Sequence, residues 1–374
     1  MTPIMKYCLR IYPICIALVF AVLSCLTGCS GTTDGFQPTD NRLEQTDSPV
    51  LIRPADTPSV PDAGFYRGFA SILPPDGDFE SAYSKAAAHA DFVNIWVGAP
   101  GAGYRDLAEY LGGGWGDTFV EELVRGNGMF PVINLSFIGR DADTGLLVLN
   151  VPAGKKQWNL SDAEFRNAYR QAAVDAVKAS KPLYLSLGNE VNRWYEQFGA
   201  DDADPNGFQH FVSLYEEIYD VIRELSPQTR IFCIFSREIV DENREADLSV
   251  LKMFDPGKLD VLAFTSYPFA VSNINNISNI PDDYYSRALD YLGDHGKPFG
   301  FTEICWSALE SFGGEQAQAE FLNDVVSRLT VTRGVNLHML AWWSLFDLEY
   351  DPHGTGLITR DGREKPVYDV WKYL

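Results

Sequence analysis

The chain of 374 residues predicts an α/β protein, specifically a (β/α)8 TIM barrel. Three observations lead there. From Gly64 onward, short β-rich runs alternate with amphipathic stretches, and the alternation occurs eight times. Strand, helix, strand in that order requires parallel strands joined by crossover connections. No Gly-rich phosphate loop follows the first strand, which disfavours a doubly wound open sheet. Eight such units in about 310 residues suit a barrel with enlarged loops.

The strand candidates, in order, are Phe65 to Ala70, Phe92 to Val97, Phe130 to Leu135, Pro182 to Leu187, Arg230 to Phe235, Val261 to Thr265, Pro298 to Thr302 and His338 to Trp343. Each is a short apolar or aromatic run, the composition that strands favour. Helices are expected near Phe79 to Ala90, Thr118 to Gly126, Asp162 to Ala179, Phe208 to Leu225, Ser249 to Phe254, Asp283 to Asp294 and Glu315 to Thr332, with Glu364 to Tyr373 closing the chain. In such a barrel the active site forms where strands end and the loops to the helices begin. Asn189 and Glu190 follow the fourth strand, Tyr267 the sixth and Glu303 the seventh, while Trp342 and Trp343 close the eighth.

The N-terminus has the grammar of a secretory leader. Lys6 and Arg10 precede an apolar run from Ile11 to Leu26, short for a membrane span. The run ends in Leu26-Thr27-Gly28-Cys29, which resembles the bacterial lipobox; the resemblance implies lipidation of Cys29 and removal of residues 1–28. Ser30 after the Cys favours outer-membrane sorting over inner-membrane retention. Residues 29–61, rich in Thr, Asp, Pro and Ser, read as a flexible tether ahead of a domain at 62–374.

Of six cysteines, Cys8, Cys15 and Cys25 leave with the leader and Cys29 carries lipid. Cys233 and Cys305 remain, too few for a disulfide framework. Formal charge is −21, and losing Lys6 and Arg10 makes the remainder −23. So acidic a chain is a poor partner for nucleic acid or anionic lipid, so membrane contact is expected only through the lipid. A neutral sugar polymer is not repelled.

Leu183-Tyr184-Leu185-Ser186-Leu187-Gly188 runs straight into Asn189-Glu190, and Phe299-Gly300-Phe301-Thr302 runs into Glu303. Two glutamates at the ends of two strands are what glycoside hydrolysis with retention requires. One carboxylate attacks the anomeric carbon, and a second, protonated, donates to the leaving oxygen from about 5 Å away. Burial and neighbouring negative charge raise a carboxyl pKa and allow one to stay an acid while the other is ionised. Asn189 is placed to hydrogen-bond a sugar 2-hydroxyl as the transition state forms. The plain alternative, two exposed loop charges, leaves the adjacent Asn, Tyr and Trp as coincidence.

These motifs together resemble clan A, the retaining glycoside hydrolases with (β/α)8 barrels, over residues 64 to 374. The resemblance implies Glu190 as general acid/base, Glu303 as nucleophile, Tyr267 as a hydrogen-bond partner of the nucleophile and Trp343, with Trp342 in reserve, in the floor of the sugar site. Within the clan, Gly188-Asn189-Glu190-Val191-Asn192 and Ser266-Tyr267-Pro268-Phe269 are most similar to family 53, the endo-β-1,4-galactanases. Ser266 stands where that family usually has a second Tyr, and Trp342-Trp343-Ser344 where it has Tyr-Trp-Glu, which leaves families 5 and 39 open.

Weaker signals complete the expected site. Trp194 and Trp306, four and three residues after the glutamates, lead the candidates for stacking on sugar, ahead of Trp96, Trp115 and Trp158. Arg67 and Asn94 reach the same place if they point up the barrel. No metal is expected, because the five histidines lack zinc spacing and the calcium-like Asp202-Ala203-Asp204-Pro205-Asn206-Gly207 has Ser213 where Glu is needed. The expectation is therefore a lipid-anchored, cofactor-free retaining β-glycoside hydrolase of the cell envelope. Its rivals are an inactive carbohydrate-binding barrel and a transglycosylase using the same carboxylates. Sugar identity, endo or exo action and oligomeric state are left open.

Overall fold

The computed structural model describes residues 51–97, 110–141, 143–152 and 154–374. The leader, Cys29 and the tether up to residue 50 lie outside these residues, as do residues 98–109.

Seven of the eight predicted strands are Tyr66–Ser71, Phe92–Val97, Phe130–Leu135, Tyr184–Ser186, Leu262–Ser266, Pro298–Ile304 and Asn336–Ser344. The fifth is broken at Cys233 into Arg230–Phe232 and Ile234–Ser236. The sheet runs from the first half of strand five through strands four, three, two, one, eight, seven and six to the second half of strand five, every pairing parallel. Since both ends of the sheet belong to one strand, the sheet closes into a barrel. At the break the fifth strand changes partners: Ile234 N–H still donates to Gly188 O at 2.8 Å, whereas Arg237 N–H donates to Thr265 O at 2.9 Å. Closure leaves no exposed edge.

Among the helices, Phe208–Leu225 matches its predicted limits and Phe79–Ala87, Ala163–Ser180, Arg287–Leu292, Gly314–Val326 and Pro366–Lys372 come close. The stretch expected as a helix at Ser249 to Phe254 is a 3-10 turn, Leu248–Met253, capped by the Asp247 carboxylate on Ser249 N–H. The predicted Thr118 to Gly126 helix is wound wide as a π-type turn over Asp117–Val124. Three unpredicted elements occupy the loops after strands three, four and five. They are the hairpin Ile138–Arg140 with Leu147–Leu149, the helix Val191–Phe198, and the hairpin Glu238–Ile239 with Arg244–Glu245.

The barrel interior is layered by polarity. Near the strand starts, Tyr66, Phe92, Phe130, Tyr184 and His338 form an aromatic plug, with Tyr66 edge-on to Phe130 at 5.2 Å and Phe130 stacked on Tyr184 at 5.6 Å. His338 shares a 2.6 Å hydrogen bond with the Tyr184 hydroxyl, and burial with nearby Arg230 pushes the imidazole down to about 4. Above the plug lies an amide layer. Asn94 Nδ2 donates to Thr302 O at 2.5 Å and its Oδ1 accepts from Asn134 Nδ2 at 3.4 Å. The glutamates sit above that layer, at the strand ends.

The end of the predicted tether is not free chain. Ile52 N–H donates to Leu225 O and Ala55 N–H to Lys181 O, both at 2.9 Å, and Asp56 pairs with Arg125 at 2.8 Å. Those partners lie at or after helix C-termini, which in a (β/α) unit face the strand starts. The chain therefore enters along the face opposite the glutamates, and the tether gives way to a strap from about Ile52. Cys233 and Cys305 are buried and unlinked.

Candidate active site

The turn after strand four is built to present Glu190. Gly188 permits a close pass, because a Cβ there would lie 2.4 Å from Val191 Cγ1. Glu190 takes a left-handed conformation with φ +51°, unusual for a side chain with a Cβ, and caps the helix Val191–Phe198. Asn192 clamps the turn to strand five in both directions, donating to Ser236 O at 2.9 Å and accepting from Ser236 N–H at 2.7 Å. Tyr169 hydroxyl donates to Leu187 O at 2.8 Å. So fixed, Glu190 is 5% exposed. Its Oε1 accepts from Thr265 Oγ1 at 2.9 Å and its Oε2 from Arg193 at 3.1 Å, one turn along its own helix. Arg193 in turn grips Asp241 at 2.7 Å.

Glu303 belongs to strand seven itself and is 4% exposed. Its register partner on strand six is Thr265, the residue that donates to Glu190, so the two glutamates lie on either side of one threonine. The Tyr267 hydroxyl donates to Glu303 Oε2. Burial pushes the Glu303 carboxyl up to about 8; the Tyr267 hydroxyl pulls against that rise and the charge of Glu190 adds to it. Trp343 stands half-buried beside the group, its ring 6.2 Å from that of Tyr267 and nearly perpendicular.

Asn189 lies half-buried with Oδ1 enclosed and unpartnered among the described residues. An amide oxygen held dry without a donor costs about 1–3 kcal/mol, and a ligand hydroxyl is one way to recover it. Asn94 points into the barrel, but its amide is spent on Thr302 O, one residue before Glu303, so it lies beneath the carboxylates.

Four of the expected site residues are elsewhere. Arg67 faces outward, its guanidinium donating to Trp371 O on the last helix at 3.1 Å, because it alternates with the inward-facing Tyr66. Trp194 is buried between Phe137 and Phe198 and donates to Asn206 O at 2.7 Å. Trp306 is buried against Phe269 and Phe321 and donates to Phe312 O at 3.1 Å. Trp342 is likewise internal, donating to Thr355 O at 2.7 Å, so strand alternation sends it away from the mouth that Trp343 faces. With its single donor used and both ring faces packed, none of these indoles can meet a sugar. The acidic turn at Asp202 is a tight lead-in to the helix Phe208–Leu225, and no metal-holding cluster of His, Cys, Asp or Glu occurs among the described residues.

Three residues of the group were missed from sequence. Thr265 stands on strand six two residues before Tyr267, and Arg193 is one helical turn from Glu190. Both spacings were readable once the elements were assigned. The third, Glu238, is 1% exposed and accepts from Tyr267 N–H at 2.6 Å, Tyr284 hydroxyl at 2.8 Å and Ser266 Oγ at 3.0 Å. Burial pushes it up to about 7, opposed first by adjacent Arg237 and then by the three donors. Its signal was an apolar strand, Ile231 to Ser236, ending in Arg237-Glu238, the same design as the strand ending in Asn189-Glu190.

No protein-family model matches the chain, and no curated protein matches it. Solved structures do, and glycoside hydrolases are among them. An exo-β-1,4-mannosidase from Opitutaceae bacterium strain TAV5 aligns with TM-score 0.57 at 18% identity, covering 87% of this chain and 61% of that one. A family 39 glycoside hydrolase from Bacteroides cellulosilyticus WH2 aligns with TM-score 0.55 at 17% identity, over 84% of this chain and 64% of the other. A variant of the family 5 subfamily 18 enzyme from Streptomyces cattleya, in complex with Manβ1-4GlcNAc, aligns with TM-score 0.53 at 15% identity, over 83% and 79%. At these identities the likeness is one of fold: this chain has the (β/α)8 TIM barrel of glycoside hydrolases in families 5 and 39.

Proposed function

We propose that the protein is a retaining β-glycoside hydrolase acting on a neutral β-linked oligo- or polysaccharide, with Glu303 as nucleophile and Glu190 as general acid/base. The observation that carries the reading is the buried pair itself, set around Thr265 and steadied by the Tyr267 hydroxyl at the C-terminal end of the barrel. A purely structural role is a poor account of two dry carboxylates that feel each other's charge. The glycosidase structures that share the fold support the substrate class, and the family 53 resemblance supports galactan as one candidate within it.

In the reaction Glu303 attacks the anomeric carbon while Glu190 delivers its proton to the departing oxygen, giving a covalent glycosyl-enzyme. Water deprotonated by Glu190 then displaces Glu303 with the configuration retained. Attack requires Glu303 ionised and Glu190 carrying the proton. Hydrogen bonding from Tyr267 favours this by stabilising ionised Glu303. Asn189, whose oxygen lacks a donor, is placed to receive the 2-hydroxyl, and Trp343 to lie against the ring.

Kinetics on aryl β-glycosides and a panel of galactan, mannan, xylan, β-glucan and Manβ1-4GlcNAc test this directly. Glu303→Gln is expected to lower kcat at least about a hundredfold, as loss of a covalent nucleophile does. Glu190→Ala should cripple substrates with poor leaving groups far more than activated aryl glycosides, with azide restoring the second step. Equal losses on both substrate types without rescue would remove Glu190 from its role. Binding without turnover of any substrate would leave an inactive sugar-binding barrel.

The buried pair also sets pH behaviour. Its last proton leaves as pH rises through about 8, so kcat/KM on a substrate needing protonation should fall over the same range. Stability follows with a definite sign. A carboxyl raised from 4.5 to about 8 contributes stability that is whole below 4.5 and is lost as pH rises through about 8. Glu303→Gln should therefore equal the wild type in urea unfolding near the acid end and exceed it at pH 9, by on the order of a few kcal/mol. A variant less stable than wild type at pH 9 would contradict the buried-charge account.

We further propose that Cys29 is lipidated and that the protein is a cell-envelope lipoprotein. The strap over Ile52 to Asp56 supports this arrangement, since a tether entering at the strand starts leaves the glutamates facing away from the membrane. Cys29→Ser should release a soluble and fully active protein on fractionation. Retention of that variant in the membrane fraction would point instead to an uncleaved Ile11 to Leu26 anchor.

A further inference from the structure

A third carboxylate lies behind the pair, out of reach of substrate. Glu238 begins the short hairpin that leaves strand five, and its two oxygens divide their work. Oε2 accepts from Tyr267 N–H at 2.6 Å; Oε1 accepts from Ser266 Oγ at 3.0 Å and Tyr284 hydroxyl at 2.8 Å. Ser266 also meets the Tyr285 hydroxyl at 2.9 Å. Three of these four contacts converge on the two residues at which strand six leaves the barrel. The register slips between Phe264 and Thr265, and Tyr267 leaves regular strand geometry with φ −135° and ψ 68°. The ladder therefore cannot itself hold Tyr267 in place.

The charge on Glu238 has a dedicated counterpart. Arg237 is fully buried, stacks on the Tyr284 ring with its guanidinium carbon 3.7 Å from the centroid, and pairs with Glu245 at 2.7 Å. The groups facing Glu238 are thus Arg237 and, through it, Glu245 from the hairpin, Ser266 and Tyr267 from strand six, Tyr284 and Tyr285 from the segment before helix Arg287–Leu292, and Cys305 after Glu303. Those facing Glu303 are Tyr267, Glu190 and Cys305. Tyr267 is the element common to both carboxylates: its N–H is on Glu238 and its hydroxyl on Glu303.

We propose that Glu238 is a positioning residue for the reaction, holding the backbone of Tyr267 so that its hydroxyl stays on Glu303. The inference rests on the glycosidase reading for its kinetic consequence but not for its physical one. Glutamine at 238 retains one acceptor but turns an amide donor toward groups that are themselves donors. Tyr267 is then free to drift, Glu303 loses a partner for its ionised form, and a proton settles on Glu303.

The test is a double-mutant cycle of Glu238→Gln and Tyr267→Phe, with kcat/KM followed against pH on an aryl β-glycoside. Glu238→Gln is expected to lower kcat about ten- to hundredfold with KM within about threefold, and to move the alkaline limb up by about half a unit or more. In the Tyr267→Phe background it should do neither, because its route to Glu303 is already cut. Equal effects in both backgrounds, or a lower rate with an unmoved limb, would show a merely structural glutamate and overturn the proposal. If the Gln variant does not fold, Glu238→Asp, with the charge drawn back by one methylene, takes its place with the same expected limb shift. A second readout needs no turnover. With ¹³Cζ-labelled tyrosine, the Tyr267 resonance should titrate with Glu303 at about 8 in wild type and at higher pH in the variant. If no glycoside is cleaved the hydrolase reading fails, while an unchanged resonance midpoint would overturn the role of Glu238 separately.

Discussion

Keeping Glu190 and Glu303 dry and close together is the constraint that shapes the upper half of this barrel. An unpaired buried carboxylate is costly, and two that repel one another cost more. The surroundings answer with donors from several strands: Thr265 and Arg193 on Glu190, the Tyr267 hydroxyl on Glu303, and the Glu238 carboxylate holding Tyr267 from behind. Each donor needs its own support. Asn192 ties the Glu190 turn to strand five, and Arg237 offsets the charge of Glu238. What looks like a scatter of polar contacts over four strand ends is one connected group whose members share the desolvation of two charges.

The lower half answers the opposite demand. Tyr66, Phe92, Phe130 and Tyr184 fill the barrel with apolar surface, and His338 joins them in neutral form, hydrogen-bonded to the Tyr184 hydroxyl. The amides of Asn94 and Asn134 separate this plug from the carboxylates. A rigid, dry floor under a charged ceiling gives the site a fixed base, which pre-organised electrostatics require. The loops above vary this base without disturbing it: the two hairpins and the helix Val191–Phe198 all spring from the C-terminal ends of strands three to five.

Direction follows from the same layering. Because helices run back to the strand starts, the strap at Ile52 to Asp56, bonded to the ends of two helices and to Arg125, must lie on the face away from the glutamates. The proposed anchor, lying ahead of this strap, would leave the glutamates on the far side.

Much of this was legible in the sequence. Alternation of apolar runs and amphipathic stretches located all eight strands, since a parallel barrel strand is buried on both faces and stands out as an uninterrupted apolar segment. Position in the fold then brought Glu190, Glu303, Tyr267 and Trp343 to one end, because a barrel gathers all its strand ends into one ring. The sequence was silent on which way a side chain faces. Arg67, Trp194, Trp306 and Trp342 were placed near the site by spacing along the chain, yet a shift of one residue on a strand, or a quarter turn on a helix, moves a side chain from the mouth to the core. Proximity was equally hidden for Thr265, Arg193 and Glu238, which reach the carboxylates only after strands far apart in the chain become neighbours. Local pattern encodes burial and periodicity; the pairing of charges across strands, and the upward push that burial and Glu190 give the Glu303 carboxyl, exist only once the barrel has closed.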